Sequence, residues 1–184
     1  MFARTPRLLL RPGFPEDAPA LAGAIADEAI VRNLATVPWP YRMRDAEAFL
    51  ASPRDPSLPA LLIFERTPGA PQLIGSCGLG RRSSGAVEMG YWIGRPFWGR
   101  GFATEACSAL IGIARMLGLE SLEGSHFLDN PASARVLEKL GFEPTGLIAP
   151  RMSCARGTDV AARLMRLKLD AAASEAESEE ALAA

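Results

Sequence analysis

The 184 residues carry 20 basic and 21 acidic side chains, a net charge of −1, and are 48% apolar. That composition supports one buried core and excludes a disordered chain, while the balanced charge without a dense Lys/Arg run argues against nucleic acid or an anionic membrane as the main partner. No apolar stretch nears the roughly 20 residues that span a bilayer, and Arg11-Pro12 interrupts Leu8-Leu9-Leu10 before it could form a signal-peptide core.

In chain order, Leu8 to Pro12 reads as a short first strand, and Phe14-Pro15-Glu16-Asp17 opens a helix through about Asp27 with Leu21, Ile25 and Ala29 near helical spacing. Pro38 and Pro40 remove backbone donors and make Thr36 to Arg42 a loop. Asp45 to Leu50 is a short helix. Leu61 to Glu65 and Leu73 to Leu79 are strands, and Ser83-Ser84-Gly85 turns the second into Val87 to Ile93. Ala103, Ala106, Cys107, Leu110, Ala114 and Leu117 share a helix face closed by Gly118. A strand at Leu122 to Phe127, a helix from Asn130-Pro131 to Gly141, and strands near Phe142 to Ile148 and Val160 to Leu169 complete the domain. Strands alternating with helices, plus hairpins, imply an α/β (α+β) fold with one mixed sheet covered by helices. The domain spans residues 1–170, and the Ala/Glu-rich stretch 171–184 is expected to be a flexible tail.

Cys77, Cys107 and Cys154 are odd in number and far apart, and His126 is the sole histidine. That pattern favours a reducing cytoplasm, with no disulfide framework and no metal site.

The segment Phe97-Trp98-Gly99-Arg100-Gly101-Phe102-Ala103-Thr104-Glu105 joins a strand to a helix within a few residues. Its glycines allow a ligand close to the main chain. Successive N–H groups, continued by the free donors of the first helical turn, form a concave anion site suited to a pyrophosphate. Alone, it could equally be a tight turn with glycines chosen for geometry. It is neither a P-loop, lacking Gly-Lys-Ser/Thr, nor a dinucleotide fingerprint, since Thr104 stands where a third glycine belongs. Asn130 is a good N-cap before Pro131, and Ser133 shares a helix face with Val136, Leu137 and Leu140. Glu105 suits a first helical turn and should point away from an anion.

Thr5 to Arg11, Ile74 to Leu79, Glu88 to Ile93 and Asn130 to Phe142, in that order and spacing, resemble the GNAT superfamily of N-acetyltransferases, and within it the group that acetylates ribosomal-protein N-termini. The superfamily's [Q/R]xxGx[G/A] pattern falls on Trp98-Gly99-Arg100-Gly101-Phe102-Ala103, with Trp98 departing from Gln/Arg. The resemblance implies a mostly antiparallel sheet of about seven strands, flanked by about four helices, with a splayed central strand pair holding CoA. It implies acetyl-CoA as cosubstrate, contacted by Tyr91, Trp92 and Ile93 on a bulged strand. The remaining contacts would be Trp98, Gly99, Arg100, Gly101, Phe102, Ala103 and Thr104 in the loop, and Asn130 and Ser133 on the later helix. Without the resemblance, Val87, Met89, Tyr91 and Ile93 read as a well-paired core strand.

The implied reaction moves an acetyl group to a primary amine, a protein N-terminus or a small molecule, by direct attack in a ternary complex. The alternative is a non-catalytic acetyl-CoA sensor or partner subunit. The protein would act as a monomer or homodimer. Ser133 would protonate the leaving thiol, or simply bond back to its helix. Glu88 and His126 are the candidate bases, each with a purely structural alternative. Cys107 is read as packing, and Val37 to Tyr41 as acceptor wall.

Overall fold

The computed structural model describes residues 1–53 and 55–169, and the expected tail lies outside them. The described residues form one eight-stranded sheet. In chain order the strands are β1 (Ala3–Arg4), β2 (Leu8–Arg11), β3 (Ala60–Glu65), β4 (Gln72–Arg81), β5 (Val87–Ile93), β6 (Ser121–Phe127), β7 (Glu143–Ser153) and β8 (Thr158–Lys168). They lie in the order β1-β2-β3-β4-β5-β6-β8-β7. Every neighbouring pair is antiparallel except β5 and β6. The strand beyond the expected seven is the two-residue β1, too short to leave an alternation in the sequence. β7 extends past the expected Ile148 to Ser153, because its ladder with β8 resumes at Ile148 after a register shift beside Gly146 (φ +83°).

Among the described residues five α-helices cover the sheet: α1 (Ala18–Ile25), α2 (Glu28–Val31), α3 (Met43–Ala51), α4 (Phe102–Met116) and α5 (Pro131–Lys139). The single helix expected through Asp27 is two. Asp27 adopts an extended backbone (φ −137°, ψ 124°) and its side chain accepts from the Ala29 N–H, so it ends one helical path and caps the next.

The two faces of the sheet are covered differently. On one, Leu8, Leu61, Ile63, Val87, Met89 and Ile93 pack with the buried stripe of α4 (Phe102, Ala106, Cys107, Leu110, Ala114) and with Leu137 of α5. Leu110 is fully buried there, and truncation to Ala would cost about 2–5 kcal/mol. On the other, Leu62, Phe64 and Leu73 lie under α1 and α3, with Trp92 packed alongside. The tip of the β7–β8 hairpin is tied to the chain after α2. There the Cys154 N–H donates to the Ala35 carbonyl, and Arg156 Nε to the Arg32 carbonyl.

Candidate active site

The sheet opens at its centre. β5 and β6 run parallel and meet at one point, Glu88 opposite Glu123. Beyond it the strands diverge toward Ile93 and Phe127. The β4–β5 ladder is regular from Gly75–Ile93 to Arg81–Val87, so the expected bulge is not on β5. It lies in β4, where Ile74 is the extra residue between the pairs Ile63–Gly75 and Phe64–Leu73. What frees β5 is divergence from β6. The Gly94 N–H donates to the Ile74 carbonyl of β4. By strand alternation the N–H groups of Tyr91 and Ile93 therefore face the gap. The Ile93 carbonyl, on that same side, accepts from Trp98 Nε1 at 2.6 Å.

The loop leading into α4 sits at the mouth of this gap. Gly99 (φ +74°) and Gly101 (φ +80°) hold left-handed backbone that side chains resist. The Glu105 N–H is the first to bond back into the helix, to the Gly101 carbonyl. The donors of Phe102, Ala103 and Thr104 are left at the helix mouth, where these residues line the cavity. That is a fit for a diphosphate. The Arg100 side chain departs from the expected contact set: it pairs with Glu65 at 2.7 Å and stacks on the Phe102 ring. Glu105 points away, as expected. It accepts from the Thr5 hydroxyl at 2.6 Å and from the Arg7 N–H and Nε. Arg7 in turn donates to the Arg100 carbonyl at 2.9 Å, which fixes the outer side of the loop.

On α5, the Asn130 side chain accepts from the Ser133 N–H at 3.2 Å, the expected cap. The Ser133 hydroxyl meets the Tyr91 hydroxyl at 2.8 Å across the gap. Cys77 and Cys107 are buried with their thiols free, and burial pushes the Cys77 thiol up to about 12, so neither is a nucleophile at neutral pH.

One cavity of about 1080 Å³ joins all of this. From the loop and α5 it passes between β5 and β6 to the opposite face, where Leu34, Val37, Tyr41 and Phe49 wall it. The floor on that side is bare backbone. Gly78 pairs with Gly90 and Gly80 with Glu88, and a Cβ built at Gly80 or Gly90 would meet nothing within 4 Å. At the end of this strip Glu88 forms a two-point ion pair with Arg151 (Oε1 to Nη1, and Oε2 to Nη2 at 2.9 Å) and accepts from the Ser125 hydroxyl at 2.9 Å. Burial pushes the Glu88 carboxyl up, but the Arg151 guanidinium and the Ser125 hydroxyl outweigh it and hold it below its ordinary value.

Glu88 is therefore not the free carboxylate that a general base requires. His126 is not beside it. Ser125 faces Glu88, so its neighbour His126 turns to the other face, toward Pro131 and Ala134 of α5, with Nδ1 2.9 Å from the Phe127 carbonyl. Sequence reasoning missed Arg151, Ser125 and Arg7. Arg151 lies 63 residues from Glu88, and no local pattern marks such a pair.

The sheet is thus split between two parallel strands, with an anion loop at its mouth and a passage through to the far face. The acetyltransferase (GNAT) domain model matches residues 7–143, and the chain belongs to that family. The uncharacterized N-acetyltransferase p20 of Bacillus licheniformis is 30% identical over 152 residues, covering 78% of this chain and 83% of that protein. An acetyltransferase of the GNAT family from Bacillus anthracis superposes with a TM-score of 0.75 at 17% identity, over 91% of this chain and 98% of its own. RimL, a ribosomal L7/L12 alpha-N-protein acetyltransferase solved with coenzyme A, gives 0.75 at 18%, over 93% and 99%.

Proposed function

We propose that this protein transfers an acetyl group from acetyl-CoA to a primary amine, a peptide N-terminus or a small molecule, by direct attack with both substrates bound. The continuous passage through the split sheet carries this reading, because it lets donor and acceptor meet from opposite faces. Coenzyme A in the RimL structure supports the donor half.

In this reading the N–H groups of Phe102, Ala103 and Thr104 hold the diphosphate. The gap-facing N–H groups of Tyr91 and Ile93 pair with the pantetheine arm and polarise the acetyl carbonyl. Trp98, with the Gly99–Gly101 backbone, shapes the entrance, Trp92 walls the opposite face, and Asn130 presents its amide beside its capping role. Glu88, kept anionic by Arg151, draws the acceptor's ammonium along the glycine strip. Its lowered basicity leaves the ammonium's proton to water. His126, on the donor face, orients the end of β6. Ser133 protonates the departing thiol.

Thiol release from acetyl-CoA, followed with DTNB against amines and N-terminal peptides, tests the proposal. Acceptor-dependent release with matching acetylated product is expected. Tight acetyl-CoA binding without turnover across a broad panel would overturn it.

A further inference from the structure

Tyr91 and Ser133 are 42 residues apart in sequence and 2.8 Å apart at their hydroxyls. A phenol is a stronger acid than an aliphatic alcohol, and its oxygen is a poorer acceptor because a lone pair is shared with the ring. The Tyr91 oxygen also lies 3.4 Å from the Ser133 main-chain carbonyl, so both acceptors it meets belong to Ser133. With the phenol donating, the Ser133 hydroxyl hydrogen has no partner among the described residues. It is free to turn into the cavity that both side chains line. The partners are held firmly. The Tyr91 ring packs on the core cluster of Ile93, Phe102 and Cys107, and Asn130 fixes the Ser133 N–H. Tyr91 thus serves the gap twice, with a main-chain N–H on the β6 side and a hydroxyl that reaches α5.

We infer that Tyr91 is a positioning residue for proton delivery to the departing thiol: its phenol donates to Ser133 Oγ and so aims the Ser133 hydroxyl hydrogen at the sulfur in the gap. This rests on the reading of Ser133 as the thiol's proton donor. As the amine nitrogen bonds to the acetyl carbon, the C–S bond breaks and its electron pair goes to sulfur. The Ser133 proton follows that pair, and the Tyr91 proton moves along its hydrogen bond to Ser133 Oγ. The proton lost by the amine returns through water to the phenol oxygen, so no charge is left behind. Burial pushes the Tyr91 phenol well up, which keeps it protonated between turnovers.

The experiment titrates the thiol of bound CoA by its thiolate absorbance in the parent, Ser133→Ala and Tyr91→Phe. The unliganded protein is subtracted to remove the exposed Cys154. A donor aimed at sulfur stabilises the thiolate, so the parent should titrate at the lowest pH and both variants higher. A raised midpoint in Ser133→Ala with Tyr91→Phe unchanged overturns the role of Tyr91 and leaves Ser133 standing. An unchanged midpoint in Ser133→Ala removes the Ser133 reading and this inference with it.

Thiol release from acetyl-CoA, including slow hydrolysis without an acceptor, supplies the second readout. Tyr91→Phe should lower kcat roughly ten- to a hundredfold with the KM for acetyl-CoA nearly unchanged. The double variant should be no slower than Ser133→Ala, since the two act as a unit. Additive losses would overturn the coupling. Melting temperature and CoA affinity verify that Tyr91→Phe is folded.

Discussion

Glu105 and Arg7 lock the anion loop from outside, their charged groups 2.6 Å apart and 98 residues apart in sequence. The pair turns a carboxylate in the first turn of α4 away from the free N–H groups, and through Arg7 holds the Arg100 carbonyl outward. Without it, a negative group would stand beside an incoming diphosphate.

The lock has a pH signature. Burial pushes the Glu105 carboxyl up, but Thr5 and Arg7 pull it down further, so it ends below its ordinary value. As pH falls, the unfolded chain binds this proton before the folded one does. The stability Glu105 adds is therefore whole above about 4.3, the unfolded value, and is lost as pH drops through the folded value. Glu105→Gln should melt roughly 2–4 °C below the parent at neutral pH, for a loss of about 1 kcal/mol, and the difference should vanish in acid. Thermal melts across pH measure this.

Gly101 separates backbone strain from charge. Its φ of +80° strains most side chains, but Asn tolerates that region better than other residues. Gly101→Asn should keep measurable CoA affinity; a Cβ here would lie 3.5 Å from Arg7 Nη2, so Gly101→Asp sets a second carboxylate on the guanidinium that holds Glu105 and should weaken CoA binding about threefold or more relative to Gly101→Asn. Calorimetric titration with CoA compares them.

Glu88 and Arg151 are 16% and 28% exposed, and losing Arg151 leaves Glu88 only a longer ion pair, to Arg82 Nε at 3.8 Å. Arg151→Met should destabilise by about 1–3 kcal/mol. Glu88→Gln with Arg151→Gln should cost less than the sum of the two single changes. In kinetics, Glu88→Gln should raise the acceptor KM more than it lowers kcat and leave the acidic limb of the pH–rate profile in place. A displaced limb would return Glu88 to the role of base.

The floor of the passage on the α1–α3 side is open above Gly90, the route proposed for the acceptor. Gly90→Leu should fill it, so that acetyl-CoA affinity stays within about twofold of the parent while acceptor turnover falls at least tenfold. Equal turnover of parent and variant across large and small amines would show that acceptors travel elsewhere.

Much of this was legible in the residues. The stripe from Ala103 to Ala114 and the alternation from Val87 to Ile93 placed α4 and β5, because burial on one side imposes those periods. Asn130-Pro131 marked the start of α5, and the paired glycines with their flanking strand and helix marked the anion loop. The break at Asp27 was hidden, since the apolar spacing continues through it while one side-chain hydrogen bond changes the backbone. Glu88 read equally as a base or as a pairing carboxylate, because the cation that holds it most closely, Arg151, stands on a distant strand.

Local patterning by itself determined most of the strands and helices and the glycine loop before α4, since propensity, periodicity and left-handed glycines act within a few residues. Only the tertiary structure decided which strand pair opens, that Tyr91 reaches Ser133, that Arg151 holds Glu88, and that His126 lies on the opposite face of β6 from Ser125. Each of these depends on strand order and on contacts between residues far apart in the chain, where a side chain's partner is set by the packing of the whole sheet.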